Sequence, residues 1–276
     1  MIRYSCHSEN FAPSSAEDAF LFIKALGFDC IDVASRSLVP QKEIQADASG
    51  CAARFADLSE RFELPLSELF LSAVEIDGAA IAPCSPKAHT ARFDKAFDRI
   101  CLFAEKAGFR SIMGSAGGID ETLGFEETFE RTAATIKRQA EIAAGHGLSF
   151  HVEPSRLSLL RTVPAALAMA EAVPGLKYTL DFLHYHIQGI PLEESMKLIP
   201  YAGHMHARQA RVNIGKCDFA RGEIDYGRIV SELKRLNWSG DIAMEFWCTK
   251  EMEEAGIQAV EQNLVMRYCL KTLVWL

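Results

Sequence analysis

The 276-residue chain contains no run of about 18 uninterrupted apolar residues, so a membrane-spanning helix is excluded and no membrane partner is expected. Its opening stretch, MIRYSCHSEN, lacks a basic segment leading into an apolar one, and a secretory signal is therefore not expected. None of the eight cysteines forms a CxxC pair. Scattered thiols of this kind suit a reducing, cytoplasmic setting, and Cys30, Cys101 and Cys269 fall in apolar runs where they read as small core residues. Positive charge is also in short supply. Lys and Arg number 29 against 37 Asp and Glu, for a net charge of −8. A duplex-binding protein usually carries a basic footprint, so nucleic acid is not an expected partner. Neither a GxGxxG nor a GxxxxGK[ST] loop follows any strand-like run, which favours a closed barrel over the alternative of an open doubly wound sheet. No low-complexity linker or break in composition divides the chain, which reads as one domain over residues 1–276.

What is present is a repeated unit. Half of the residues are hydrophobic (49%), enough for a sizeable core. An amphipathic helix pattern, a corner containing Gly or Asn, and a short apolar strand recur along the chain. Corners fall around Gly27, Gly108, Gly147 and Gly240, where glycine can take the left-handed conformation that closes a helix. Ser14-Ser-Ala-Glu17 reads as a capping box ahead of an apolar-periodic helix. Strands are expected near Ile2–Cys6, Cys30–Ala34, Pro65–Leu71, Ser111–Ser115, Leu148–Glu153, Lys177–Asp181, Gly203–Ala207 and Asp241–Glu245. The longest helices are expected near Thr90–Ala107 and Phe125–Ala144. Alternation of strand and helix implies parallel strands with right-handed crossovers. Eight units of this kind close into an α/β fold of the (β/α)8 TIM-barrel type, which commonly spans about 250 residues as one domain.

In such barrels the active site lies at the C-terminal ends of the strands. Four consecutive strands end in groups that can act together: SFHVEP at Glu153, KYTLDF at Asp181, HMHAR at His206 and IAMEFW at Glu245. Each closes an apolar run, where an unpaired carboxylate would be costly to bury unless it met a partner or a metal. Because side chains alternate along a strand, Glu153 shares a face with His151, and His206 with His204. Three carboxylates and one imidazole form a hard, oxygen-rich donor set. It suits one Mn²⁺, Mg²⁺ or Co²⁺ ion better than structural zinc, with Zn²⁺ left as a further option.

The chain resembles the xylose isomerase-like barrel superfamily of sugar isomerases and epimerases, which also includes apurinic-site endonucleases. The resemblance runs through nearly the whole order of units and rests most on HVEP (151–154), D-x-x-H in LDFLH (180–184), H-x-H in GHMHAR (203–208) and MEFW (244–247). It implies that Glu153, Asp181, His206 and Glu245 ligate a metal and that Glu153 and Glu245 carry the proton. It also implies that His184 contacts a substrate oxygen, and that an arginine after the histidine of the seventh strand touches substrate. Arg208 and Arg211 are the two candidates, neither at the epimerase spacing. His7, at the end of the first strand, and His151 are added as substrate-binding candidates. Gly114-Ser-Ala-Gly-Gly118 reads as a tight turn or a phosphate cradle. Phe70, Phe246 and Trp247 could line an apolar wall, and Glu68 and Glu75 receive no role.

The expected chemistry is isomerisation or epimerisation of a ketose, sugar phosphate or related polyol. A divalent ion offsets charge on an enediolate while two carboxylates move the proton. A dehydratase acting on an inosose or a dehydroshikimate-like ring would use the same donors. The endonuclease branch needs extra histidines at the ends of the third and fourth strands and a D-x-H after the seventh. This chain has LFLSAVE and IMGSAGG at those two ends and no D-x-H after His206. The expected partner is thus a small sugar-like molecule, with a homo-oligomer left open.

Overall fold

The computed structural model describes residues 1–11 and 15–275. Among them, eight parallel strands close into a barrel. They are β1 (Ile2–His7), β2 (Cys30–Ala34), β3 (Leu66–Ser72), β4 (Ser111–Ser115), β5 (Ser149–Glu153), β6 (Lys177–Asp181), β7 (Ala202–Ala207) and β8 (Gly240–Met244). Each strand lies beside its neighbours in sequence, and β1 closes on β8 in register from Ile2 opposite Gly240 to Cys6 opposite Met244. The strands expected from sequence lie within a residue or so of these bounds. Glu245 differs in sitting one residue past the end of β8.

The connections carry the helices α1 (Ala16–Ala25), α2 (Ala48–Arg61), α3 (Ala91–Ala107), α4 (Gly124–Gly145), α5 (Val163–Ala172), α6 (Leu192–Met196), α7 (Tyr226–Arg235) and α8 (Ala259–Trp275). Local signals explain their limits. In α3 the Thr90 hydroxyl accepts the Phe93 N–H at the start, and Gly108 turns left-handed (φ 94°) at the end. Between them Phe93, Phe97, Ile100, Cys101 and Ala104 recur at helical spacing and are buried against the sheet. Phe20, Phe55 and Phe103 pack edge-on where α1, α2 and α3 meet, at ring separations of 6.2 and 5.7 Å. Each such ring contributes roughly 1.5–3 kcal/mol through burial.

Two corners differ from the sequence reading. The α1 cap is Ser15, whose side chain accepts the Asp18 N–H; Ser14 lies outside the described residues. Before β8 the left-handed residue is Asn237 (φ 50°), not Gly240. Gly240 is needed for a different reason: a Cβ there would fall 2.7 Å from the Trp238 ring and 3.2 Å from the Gly203 carbonyl. Two short hairpins decorate the C-terminal side of the barrel. One pairs Val74–Ile76 with Ala79–Ile81 after β3, and the other pairs Ala210–Arg211 with Gly215–Lys216 after β7. Among the described residues, no helix is long and apolar enough to cross a membrane.

Candidate functional site

Strand ends β5 to β8 bring Glu153, Asp181, His206 and Glu245 together. One ligand atom from each can be chosen so that all four lie within 4.8 Å of one another. His206 Nδ1 lies 3.0 Å from Glu153 Oε1 and 3.1 Å from Glu245 Oε2. Asp181 Oδ1 accepts the Leu183 N–H at 2.8 Å, which aims the other oxygen into the cluster. That oxygen takes Arg208 Nε at 2.8 Å and Nη2 at 2.6 Å. Arg208 Nη2 also comes within 3.1 Å of Glu245 Oε2. Even so, Glu245 Oε2 is buried without a hydrogen bond of acceptable geometry, as is His206 Nε2. A buried carboxylate oxygen with no hydrogen-bond partner, facing two further carboxylates and an imidazole, fits a hard divalent cation.

The charges of the cluster hold one another. Burial alone would raise the Glu245 carboxyl, but Arg208 and His206 bring it down to about 2. Burial is likewise overcome at Glu153, held well below the carboxylate range by His184 and His206. His206 moves the opposite way: burial disfavours its charge, yet Glu245 and Glu153 raise it well above an ordinary histidine. His206 and Arg208 thus set positive charge against the three carboxylates, and an ion ligated there would compete with them.

Beneath this cluster the barrel interior is polar. Asp32 accepts from Ser5 Oγ at 2.5 Å and pairs with His204 Nε2 at 2.7 Å. Glu68 accepts from Ser111 Oγ and Thr179 Oγ1 at 2.8 and 2.6 Å and meets His151 Nδ1 at 2.6 Å. His206 spans the two layers, its unpartnered Nε2 lying 3.8 Å from Asp32 Oδ2.

Other residues singled out from sequence divide clearly. His184 Nε2 reaches 3.8 Å from Glu153 Oε2 and 3.9 Å from Asp181 Oδ2, beside the cluster. His7 packs edge-on to Phe70 and His206 at 4.9 and 6.2 Å. Its Nδ1 accepts the Glu9 N–H, and burial lowers its pKa, so a neutral ring carries its proton on the unpartnered Nε2. Arg208 belongs to the cluster. Arg211 does not: it pairs with Glu223 on the outer hairpin. His151, read from sequence as substrate-binding, sits a layer below the cluster, its ring nitrogens engaged by Glu68 and Ser149. Gly114 and Ser115 end β4, and the chain bends after them at Gly117 (φ 66°), bonded through its N–H to Ser115 Oγ and through its carbonyl to the Leu159 N–H. Trp247 stands beside the mouth with Arg208 5.0 Å and Lys216 3.5 Å from its ring. A cleft of about 590 Å³ adjoins this wall, running from Ser8 and Glu9 past Trp247 to Leu21 and Phe22.

Sequence reasoning passed over Asp32 and Lys216 and named Glu68 without giving it a role. For Asp32 and Glu68 the signal was available, since each interrupts an apolar strand with a charge. Lys216 lies on a two-residue strand with no periodicity to read.

A closed parallel barrel with a carboxylate–imidazole cluster across its last four strand ends defines a (β/α)8 barrel equipped to hold a cation. The chain belongs to the xylose isomerase-like TIM barrel family, whose model matches residues 20–267. No curated protein matches the sequence. Similar solved structures include an L-ribulose 3-epimerase, 20% identical with a TM-score of 0.74, covering 99% of this chain and 95% of that one. A D-allulose 3-epimerase from Methylomonas sp. in complex with D-allulose is 18% identical with a TM-score of 0.75, over 98% and 96%. A probable 3-DHS dehydratase, AsbF from Bacillus anthracis, is 17% identical with a TM-score of 0.73, over 98% of each chain.

Proposed function

We propose that this protein is a metal-dependent isomerase or epimerase of a small sugar-like molecule, acting as one domain in the cytoplasm. The observation that carries the reading is the convergence of Glu153, Asp181, His206 and Glu245 within 4.8 Å at the strand ends. Their hard donors suit one Mn²⁺, Mg²⁺ or Co²⁺ ion. Bound there, the ion would offset negative charge developing on a carbonyl oxygen. Glu153 or Glu245 takes the proton from the carbon next to that carbonyl, and the C–H pair moves to form the enediolate. Return of the proton to the neighbouring carbon isomerises the sugar; return to the opposite face epimerises it. In this reading His7 Nε2–H and His184 would donate to substrate oxygens, and Arg208 would bind another. Kinship of fold with two ketose 3-epimerases supports this reading. The fold's likeness to a dehydratase keeps a second outcome in view, in which the same proton abstraction is followed by loss of water.

The test is stripping and reloading with Mn²⁺, then incubation in D₂O with ketoses, sugar phosphates, inososes and dehydroshikimate, followed by NMR. About one ion per chain and ion-dependent deuterium wash-in next to a carbonyl are expected. Glu153→Gln and Glu245→Gln should each keep the fold and lose about two to four orders of magnitude in turnover on the face they serve. A three-zinc protein, or a loaded protein that exchanges no proton in any of these compounds, would overturn the reading. Water loss in place of exchange would select the dehydratase outcome.

A further inference from the structure

The hairpin after β7 lowers a lysine onto the mouth of the barrel. Lys216 Nζ donates to the Trp247 carbonyl at 2.6 Å and sits 3.5 Å from the centre of the Trp247 ring. Trp247 is two residues beyond Glu245, and Arg208 lies 5.0 Å from the same ring. Lys216 is partly buried, and among the described residues no carboxylate comes within ion-pair distance of it. Two cations therefore share one indole while only Arg208 has carboxylate partners. Burial and the neighbouring Arg208 lower the lysine to about 8, a sign that the position disfavours its charge as it stands.

An ammonium held in this way beside a second cation is an arrangement that an anion relieves. An ion ligated by Asp181 and Glu245 would compete with Arg208 for the same oxygens. Displaced from those oxygens, Arg208 would join Lys216 as a second cation without a carboxylate partner. Asp32 and Glu68 do not supply the missing negative charge, because both are engaged by histidines and hydroxyls in the layer below.

We infer that Lys216, together with Arg208, forms a subsite for an anionic group, carboxylate or phosphate, so that the substrate is an acidic sugar derivative and not a neutral ketose. This rests on the proposed function and narrows its substrate class. Trp247 would then serve as a wall that shields the ammonium from bulk water, which would otherwise weaken its attraction for an anion.

Calorimetric titration of the Mn²⁺-loaded protein with D-fructose, D-fructose 6-phosphate and 2-keto-D-gluconate tests the inference. At least one anionic probe should bind roughly ten- to hundredfold more tightly than D-fructose. The phosphate and carboxylate arms show which anion the subsite takes. In Lys216→Gln that preference should shrink to within about threefold while D-fructose binding stays put, and Lys216→Arg should restore much of it. The ion is the same in every protein compared, so its own affinity for the probes cancels. Equal binding of neutral and anionic probes, or a preference untouched in Lys216→Gln, would overturn the subsite. Equal loss for all three probes would show that Lys216 only braces Trp247, which also overturns it. Proton exchange into neutral ketoses in those cases would leave the metal-dependent chemistry standing. Absence of exchange in every probe would remove that chemistry instead.

Discussion

Arg208 already holds two of the carboxylates that a divalent ion would need. Its guanidinium takes Asp181 Oδ2 through two nitrogens and approaches Glu245 Oε2. A cation this close opposes a second one, and removing it frees Asp181 Oδ2 while Asp181 Oδ1 stays on the Leu183 N–H and Glu245 beside His206. Arg208→Met should therefore raise Mn²⁺ affinity by at least about tenfold, read by calorimetry, even as substrate binding falls. A drop in Mn²⁺ affinity would mean that Arg208 holds the carboxylates in ligating positions and does not compete. At this scale the sequence was informative where strand alternation applied. Glu153 and Asp181 end their strands, His206 is the last but one of β7 and Glu245 follows β8, and the structure gathers all four. The choice between Arg208 and Arg211 could not be settled by spacing. It is decided by the chain turning into a hairpin after Gln209, which carries Arg211 outward to Glu223.

Among the elements, α3 and α4 are joined by a titratable staple. His146 follows the last residue of α4, where the helix dipole favours a cation. Its Nδ1 and Nε2 meet Glu105 at 2.6 Å and Asp98 at 3.0 Å, both on α3. Burial works against the charged ring, but the two carboxylates prevail and raise its pKa above 6.5. A raised histidine contributes stability fully below the unfolded-state value and loses it as pH climbs through the folded one. Wild type should thus exceed His146→Gln in urea stability near pH 5.5, by a few tenths to about 1 kcal/mol, with the gap closing as pH rises through the folded-state value. A gap that is constant with pH would sink the staple. The helices themselves were legible because α3 and α4 carry long apolar periodicity. The two hairpins were not: strands of two or three residues hold too few positions for a period of two to register.

For the molecule as a whole, the repeat of helix, corner and strand sufficed to anticipate eight strands and their closure. It could not anticipate what fills the barrel, because inward neighbours come from strands far apart in the chain. Ser5, Asp32, Glu68, His151, Thr179 and His204 are all buried, and they interlock across β1, β2, β3, β5, β6 and β7. A barrel interior is more often layered with branched apolar side chains. Here histidines approaching from β5 and β7 hold Glu68 at about 2 against its burial. The layer is satisfied only as a set, and that governs how the chain can change. Glu68→Leu alone would leave His151 without its carboxylate and Ser111 and Thr179 without an acceptor, and should cost about 3–5 kcal/mol. Adding His151→Phe should return roughly 1–3 kcal/mol of that, measured as a non-additive term in a double-mutant cycle of urea unfolding. Strict additivity would show that the two residues stand independently. Coupling of that size makes the floor of the barrel an epistatic block. Substitutions there survive in company and fail singly, so lineages that descend from this sequence should exchange these positions together or keep them all.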